Sequence, residues 1–599
     1  MSGATRRNSA GSTPPGSRSS STPSTSRVVR VLPDVGPIGR EFDYLVPPDL
    51  DASVRVGSLV RIVLHGRRVG GWVVADNVTP PPGVTLQPLA KVTGWGPSPA
   101  VIELAAWAAW RWAGPRAALL RSASPDVAVR GLPPPQALRR PAVLPSAGSS
   151  GGGGLLQEAF AAGQAIVRLP PAADLLPVVL AAASLGPALV VTPSLQMAAG
   201  LARRLDAAGV PSAVLPRQWA QAAAGAPVVI GARGAAWAPC PSLAAVVVLD
   251  GHDEGLQQEQ APTWNAWVVA AERARRAGVP CVVVSSCPTV ELLACGSLVL
   301  PSRSVERDGW APLEVVDRRA DDPRRGLYSS PLVDLVRRGG RVACVLNRKG
   351  RIRLLACAAC SDLARCETCG AAVSSADAGL SCARCGTVRP VVCLSCGSTR
   401  LKALRVGVTR AAEELAQLAG RPVGEVTAET DELPDTPIVV GTEAVLRRLR
   451  SVDAVAFLDF DQELLAPRYR AAEEALALLA LASRLVGGRA GDGRVLVQTR
   501  IPDHEVLVAA RSADPGRLAV SEAGARQALS LPPTTALAVV SGAGAEQYVA
   551  SLAGVEILGP DRDRWLVRAP DHDKLAAALA AATRPPGTRL RVEVDPQRL

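Results

Sequence analysis

Lysine is nearly absent from this chain of 599 residues, which has only four, at positions 91, 349, 402 and 574. The net charge of +12 therefore comes almost entirely from arginine. None of the four lysines follows a glycine, whereas a P-loop of the form G-x-x-x-x-G-K-[ST] places that pair on the phosphates. The sequence thus excludes a standard P-loop nucleotide site.

Long apolar runs are missing too. The longest, 175–191, is interrupted by Gly186-Pro187, which favours a buried helix followed by a strand over a membrane span. Residues 1–26 are rich in Ser, Thr, Pro and Gly and contain no apolar segment, so they predict a disordered basic tail and not a secretion signal. We expect a cytoplasmic protein with no membrane contact.

The excess of positive charge favours a polyanionic partner such as nucleic acid. A GC-rich genome, which raises the arginine, alanine, glycine and proline content of every protein, is the alternative explanation. Charge alone does not separate the two.

Cysteine is the residue type whose spacing is most informative. Of the 13 cysteines, eight form four C-x-x-C pairs: Cys357/Cys360, Cys366/Cys369, Cys382/Cys385 and Cys393/Cys396. A C-x-x-C turn points two thiolates at one ion, so two turns complete a tetrahedral site. We therefore predict two structural zinc ions in a reducing compartment.

The separation of the turns favours one pairing without fixing it. Five residues separate the first two pairs, whereas 12 separate the inner two, nearer the spacing of a zinc ribbon. A nested arrangement is preferred, with Cys366, Cys369, Cys382 and Cys385 on one zinc (zinc 2) and Cys357, Cys360, Cys393 and Cys396 on the other (zinc 1). Iron–sulfur ligation is the main rival, and a redox C-x-x-C is less favoured.

Short, mainly apolar runs flank the cysteine block on both sides. Those before it cover 188–191, 228–230, 244–249 and 282–284, and those after it cover 438–440, 455–458 and 495–498. Such runs are typical of strands buried on both faces of a parallel sheet. The sequence therefore predicts two α/β units, with the cysteine block inserted into the second, which begins near 342–346.

Several motifs together resemble one family, the replication restart protein PriA (primosomal protein N′). They are Phe42-Asp43-Tyr44 followed by 54–74, then 228–233 with His252-Asp253, then Leu346 to Gly350, the four cysteine pairs and 438–442. The resemblance implies a multidomain α/β fold with two RecA-like helicase lobes. It also implies an inserted two-zinc module, an N-terminal β-rich 3′-DNA-binding domain with a winged helix, and a C-terminal α+β domain.

The predicted domains follow the chain in that order. They are a basic tail (1–26), the 3′-DNA-binding domain (27–98), a winged-helix-like region (99–135), a linker (136–154), helicase-like lobe 1 (155–316), lobe 2 (317–355 and 398–500), the two-zinc insertion (356–397) and the C-terminal domain (501–599).

The sequence departs from this family at the ATP site. Where the family has its P-loop, residues 167–172 read Val-Arg-Leu-Pro-Pro-Ala, and the two prolines remove N–H donors that phosphate would need. The expected Asp-Glu-Glu-His reads Leu249-Asp250-Gly251-His252, and the arginine-rich element is degraded at 486–490. We predict neither catalytic nor ATP-binding residues. The alternative is an active ATP-dependent 3′→5′ helicase with a divergent nucleotide site.

The resemblance also implies how DNA is held. Asp43 would accept a 3′-hydroxyl and repel a 3′-phosphate, while Phe42 or Tyr44 would wall the terminal base. Arg61, Arg67 and Arg68 flank this pocket and are candidate phosphate contacts.

The predicted function is replication restart and primosome assembly. The chain would bind stalled or abandoned forks by their structure and promote reloading of the replicative helicase without ATP-driven unwinding. Expected partners are branched and single-stranded DNA, primosome and helicase-loading proteins and single-stranded DNA-binding protein. A basic zinc-ribbon adaptor of transcription is a further alternative.

Overall fold

The structure is a computed structural model. It describes residues 27–35, 39–136, 152–321, 327–347, 355–360, 362–376, 379–403, 408–427, 429–489 and 491–598. The predicted basic tail, residues 137–151 of the predicted linker, and residues 348–350 of the family motif lie outside the described residues. The described residues form two compact units, divided between Gly94 and Trp95.

The first unit is a six-stranded sheet of order β5-β2-β1-β4-β3-β6. Its strands are β1 (Val28–Pro33), β2 (Phe42–Leu45), β3 (Leu59–Leu64), β4 (Arg67–Asp76), β5 (Gln87–Pro88) and β6 (Lys91–Gly94). Alternating side chains such as Val29, Val31, Val60 and Ile62 form its core, as expected for strands with one buried face. This arrangement is the β-rich domain that the sequence predicts.

The second unit begins with two helices, α1 (Pro99–Arg111) and α2 (Arg116–Ala123). Trp112 is fully buried and packs edge-on against Trp107 with ring centroids 5.6 Å apart, so it belongs to the core. Described residues 95–136 contain these helices and no strand, and therefore show no wing.

Lobe 1 is a wholly parallel seven-stranded sheet of order β13-β7-β12-β11-β8-β10-β9. Its strands are β7 (Gln164–Arg168), β8 (Ala188–Val191), β9 (Ser212–Val214), β10 (Val228–Gly231), β11 (Ala245–Val248), β12 (Cys281–Ser285) and β13 (Ser297–Val299). Its helices are α3 (Gly152–Ala161), α4 (Leu176–Leu185), α5 (Leu195–Ala207), α6 (Trp219–Gly225), α7 (Ala266–Ala277), α8 (Val290–Leu293) and α9 (Arg303–Asp308), with 3₁₀ turns at Arg233–Trp237 and Glu254–Leu256. Because the strands run the same way, the ends of β7, β8, β11 and β12 share one edge.

A second parallel sheet, lobe 2, starts with β14 (Leu313–Asp317), α10 (Ser330–Arg337) and β15 (Val342–Val345). The chain then leaves this sheet to form the cysteine module. That module contains β16 (Leu355–Cys357), β17 (Ser374–Ala376), β18 (Gly379–Ser381), β19 (Val388–Arg389) and β20 (Leu401–Ala403). The structure thus contains the predicted insertion of the cysteine module within lobe 2.

Lobe 2 resumes after the module and completes a six-stranded sheet of order β14-β24-β23-β15-β22-β21. The returning elements are α11 (Val408–Ala419), β21 (Val423–Val426), β22 (Ile438–Gly441), α12 (Ala444–Arg448), β23 (Ala454–Phe457), α13 (Asp461–Leu464), α14 (Ala471–Val486) and β24 (Arg494–Thr499). Helix α14 ends at Gly487, which adopts a left-handed φ of 89° as a C-terminal stop.

The last part of the described chain contains four helices and a four-stranded antiparallel sheet of order β26-β27-β25-β28. These elements are α15 (Glu505–Arg511), α16 (Pro515–Ala528), β25 (Ala536–Ser541), α17 (Ala545–Ala550), β26 (Glu556–Asp561), β27 (Arg564–Ala569), α18 (His572–Ala581) and β28 (Arg591–Val594). Thr263 and Gln257 of lobe 1 donate to the carbonyls of Val594 and Asp595, which seats the β28 edge on that lobe.

Among the residues described above, no helix combines the length and the apolar character that crossing a bilayer requires.

Candidate metal centres, DNA-binding residues and inter-lobe cleft

The eight paired cysteines converge into two groups of four. One group is Cys357, Cys360, Cys393 and Cys396, the other is Cys366, Cys369, Cys382 and Cys385, and the sulfur atoms of each lie within 4.8 Å of one another. Neighbouring sulfurs are 3.4–3.6 Å apart. A disulfide would need about 2.05 Å, and tetrahedral thiolates on a metal at about 2.3 Å would sit about 3.8 Å apart. The geometry is that of two four-thiolate metal sites with the nested grouping.

Local backbone conformation explains why each turn presents its sulfurs. Gly370, Gly386 and Gly397 have φ values of 71°, 75° and 74°, and each N–H donates to the carbonyl of the first cysteine of its pair. Backbone N–H groups also point at sulfur: Ala359 N lies 3.3 Å from Cys357 Sγ. A hydrogen bond from the Cys360 N–H is the main cause that lowers the pKa of Cys357 to about 6. These contacts favour the thiolate of Cys357, the form that binds metal.

The cysteine module is packed onto lobe 2. Its residues Ala356, Leu363 and Ala372 form a small apolar cluster with Leu465, which directly follows α13. The Ala372 N–H donates to the Leu465 carbonyl at 3.0 Å. The cysteine module therefore packs in a defined position against lobe 2, into which it is inserted.

Asp43 lies on the opposite face of the first sheet from Phe42 and Tyr44, because successive strand residues alternate. Arg30, its cross-strand neighbour on β1, binds both of its carboxylate oxygens at 2.8 and 3.1 Å. The Asp43 side chain is 8% exposed. A 3′-hydroxyl at Asp43 would thus meet a carboxylate already paired with an arginine.

Phe42 and Tyr44 face the core of that sheet. Tyr44 is 3% exposed and its hydroxyl donates to the Val63 carbonyl at 3.1 Å, and burial raises its pKa. Phe42 is half-buried at the edge of the same core. Of the two aromatic rings, only Phe42 retains surface for a nucleotide base.

The three arginines predicted to contact phosphate lie on the β3–β4 hairpin and are all exposed. Arg61 pairs with Gly70, Arg68 with Val63 and Arg67 with Leu64. Cross-strand partners share a face, so Arg61 and Arg68 lie on one face and Arg67 on the other. The structure brings together two of the three.

The segment predicted to stand where the family has its P-loop follows β7 and has no free N–H groups between 170 and 173. Pro170 and Pro171 have none to offer, and Ala172 and Ala173 donate to the carbonyls of Gly309 and Pro170 at 3.1 and 3.0 Å. A Cβ on Gly309 would lie 2.4 Å from the Pro170 ring. The segment is thus packed tightly against the end of α9.

An arginine from lobe 2 occupies the space in front of this segment. Arg484 of α14 donates to both carboxylate oxygens of Asp250, at the end of β11, at 2.5 and 2.6 Å. Its Nε donates to the Pro171 carbonyl at 2.9 Å. Burial raises the pKa of Asp250, but the charge and hydrogen bonds of Arg484 outweigh burial and hold that pKa below its usual range.

A cavity of about 420 Å³ opens beside this pair, between the two lobes and the C-terminal segment. Its wall is dominated by charged side chains. His252 lines it, donates to or accepts from Ser285 at 2.8 Å, and has its pKa lowered by burial. Arg484 was not predicted as a site residue, because it lies just before the degraded arginine-rich element at 486–490. Its position on the side of α14 that faces lobe 1 is the only feature that identifies it.

Glu474, which also lines this cavity, is expected to make the stability of the fold depend on pH. Burial, reinforced by the nearby Glu254 charge, raises its pKa to about 8, although Arg468 lies 2.9 Å away. Between the pKa of an unfolded glutamate, about 4.5, and 8 the folded chain holds a proton that the unfolded chain releases, so stability falls as pH rises through this range. We expect Glu474→Gln to gain thermal stability relative to the parent chain as pH increases from 6 to 9.

The measurement is the difference in melting temperature at three pH values. Glu413→Gln, which alters an exposed carboxylate on α11, is the matched control and should show no such trend. A difference that stays constant with pH would contradict the assignment.

Comparison with known proteins agrees with this geometry. The family model for the 3′ DNA-binding domain (3′BD) of PriA matches residues 30–125. The match to the S. cerevisiae Dbp5 L327V structure bound to RNA and ADP BeF₃ spans 60% of this chain and 87% of the Dbp5 chain, at 12% identity. Its TM-score is 0.35, too low to support an assignment.

Curated relatives extend the match beyond the first domain. The probable replication restart protein PriA of Mycobacterium leprae is 30% identical over 561 residues, 84% of this chain and 86% of that protein. Its Mycobacterium tuberculosis counterpart is 29% identical over 92% of this chain and 90% of its own length. The match to PriA of Bacillus subtilis, at 26% identity, spans 52% of this chain and 43% of that protein. The chain belongs to the replication restart protein PriA family.

Proposed function

We propose that this chain is a metal-containing scaffold for replication restart that binds fork DNA and does not unwind it with ATP. The observation that carries the proposal is the position of Arg484, whose guanidinium bridges Asp250 and the Pro171 carbonyl. Fork binding and ATP turnover, measured on one preparation, test it.

The electrostatics of the cleft support this view. A nucleotide site supplies N–H groups and cations to phosphate and leaves a carboxylate free for magnesium. Here the N–H groups of Ala172 and Ala173 are used within the chain, and Asp250 is paired with a cation of the protein itself. A divergent but active helicase, the rival hypothesis, would have to break this buried ion pair in each cycle.

We propose zinc as the metal in both cysteine groups. Four thiolates in a closed set suit Zn²⁺ as a structural ion, and each ion would hold a module whose own apolar core is small. The ligands are those predicted, zinc 1 on Cys357, Cys360, Cys393 and Cys396 and zinc 2 on Cys366, Cys369, Cys382 and Cys385. The module would then serve as a working surface for forks and partner proteins.

We propose that the first unit binds DNA 3′ ends, with Asp43 accepting the 3′-hydroxyl, Phe42 contacting the base and Arg61 and Arg68 contacting phosphate. The match of the 3′ DNA-binding family model supports this role. Arg67 contributes charge from the other face of its hairpin.

Asp43→Ala is expected to weaken binding of forks ending in a 3′-hydroxyl by about 10- to 100-fold, the worth of one hydrogen bond to a charged group. Binding of 3′-phosphate forks should change much less. Fluorescence anisotropy on the two fork types measures both. Asp49→Ala, an exposed carboxylate of the same unit, is the control. Equal loss on both ends, or none, would contradict the 3′-end role.

The remaining parts of the proposal rest on family membership. We propose primosome and helicase-loading proteins and single-stranded DNA-binding protein as partners, and a cytoplasmic location in which the thiols stay reduced. The predicted domain limits and the C-terminal domain at 501–599 belong to the same proposal. For 99–135 it keeps only a helical region, because the described residues there contain two helices and no strand.

A further inference from the structure

We propose that the two lobes do not open and close but are held in one fixed orientation by a permanent inter-lobe clamp. The clamp consists of three arginine–carboxylate pairs, Arg484–Asp250, Arg447–Asp253 and Arg470–Glu291. The inference goes beyond the proposed function, since a scaffold that binds forks could have either mobile or fixed lobes.

All three guanidinium nitrogens of Arg484 donate hydrogen bonds to lobe 1. Both terminal nitrogens contact Asp250, and Nε contacts the Pro171 carbonyl at 2.9 Å. The Asp250 carboxylate is 7% exposed and Arg484 is 31% exposed. Separating the lobes would break all three of these hydrogen bonds to Arg484 at once.

Two further pairs flank it. Arg447 of α12 lies 2.6 Å from Asp253, whose other oxygen accepts the Gly255 N–H and so is held in place. Arg470, just before α14, lies 2.7 Å from Glu291 of α8. The three carboxylates come from lobe 1 and the three arginines from lobe 2, so each pair crosses the cleft in the same sense.

The α8 helix is tied to lobe 2 by a second set of contacts. Glu473 of α14 accepts the Val290 N–H at 2.9 Å, and it is bound in turn by Arg526 of α16, which also lies 2.8 Å from Glu291. Cys287, which follows β12 of lobe 1, is 5% exposed and lies within the apolar core of lobe 2. Polar and apolar contacts thus join the two lobes along the same interface.

The last described residues bridge both lobes through their backbone. Lobe 1 donates to the carbonyls of Val594 and Asp595 from Thr263 and Gln257, each at 2.7 Å. The Tyr469 hydroxyl of lobe 2 donates to the Pro596 carbonyl at 3.0 Å. Residues 594–596 therefore act as a strap across the clamp.

The origin of the charges explains why the clamp is permanent. In a nucleotide-driven motor, the charges that draw two lobes together arrive with the nucleotide and leave after hydrolysis. Here both signs are side chains of the chain itself, so neither can leave. The lobes then form one rigid surface for DNA and partners.

Distances between lobes measured by single-molecule energy transfer test the clamp. Dyes are attached through unnatural amino acids at 203 on α5 and 413 on α11, both exposed, because the 13 cysteines preclude thiol labelling. We expect one narrow distance distribution in the full chain, unchanged by magnesium–ATP or fork DNA. Several distances, or a shift with ATP, would overturn the proposal.

Substitutions of the clamp arginines test whether these ion pairs hold the lobes together. Arg484→Ala, or Arg447→Glu at the more exposed pair, should raise the open fraction from below about 1% to above about 10%, whereas Arg447→Lys should stay closed. Arg319→Ala, which removes an exposed arginine paired with Asp317 of the same lobe, is the control. Unchanged distances in both clamp variants would overturn the assignment to these pairs.

Fork affinity measured on the same labelled chains separates this inference from the proposed function. Mobile lobes with intact fork binding would contradict the clamp and leave the proposed function standing. Fixed lobes without fork binding would sustain the clamp and remove the proposed function.

Discussion

Replacing Cys366 with serine should halve the metal content, from two ions per chain to one, and unfold the inner half of the cysteine module. Cys366 is buried, and its sulfur lies 3.4 Å from that of Cys385. A structural zinc site contributes about 10–16 kcal/mol to the folding of a small module, and the apolar core of this one has few residues to compensate. Elemental analysis of the purified chain, together with limited proteolysis between 355 and 403, measures both effects.

Two matched variants sharpen this test. Cys393→Ser should remove the other ion and leave the inner one, because the groups are separate. Cys295→Ser alters an exposed cysteine outside both groups and should retain two ions. Loss of both ions from either single ligand variant would contradict the nested grouping.

Replacing Arg484 with alanine should lower the first melting transition by at least about 6 °C. Removing one member of a buried ion pair costs about 3–5 kcal/mol, because the remaining charge is left without a partner, and about 2 °C or more is lost per kcal/mol in domains of this size. The change should be greatest at the lobe seam, where hydrogen exchange should rise at the end of β11 and in the last turns of α14.

The double variant Asp250→Ala/Arg484→Ala provides the decisive control. With both charges gone no buried charge is left unpaired, so the double variant should be more stable than Arg484→Ala alone. Strict additivity of the two single losses would show that the residues act separately and would contradict the pair.

Much of the fold could be predicted because buried parallel strands have a plain sequence pattern. The apolar run 188–191 coincides with β8, and 438–440 lies within β22. The nested cysteine grouping could also be predicted, since a ribbon needs a spacer long enough to form a hairpin. Residues 370–381 supply that spacer and contain the antiparallel strands β17 and β18.

The inter-lobe contacts could not be predicted, because no local pattern marks them. Arg484 and Asp250 are 234 residues apart, and only the packing of two lobes brings them together. Arg30 and Asp43, 13 residues apart, meet only through the register of β1 and β2. By contrast, the inward position of Tyr44 follows from strand alternation, which places Phe42 and Tyr44 on the face opposite Asp43.

The most direct test of the central claim measures fork binding and ATP turnover together on the full chain with its metal. The account predicts tight binding to a fork with a 3′-hydroxyl end, and ATP turnover on that fork no faster than in a protein-free blank. Fork-stimulated turnover that rises with protein concentration and disappears in Asp250→Ala would contradict it.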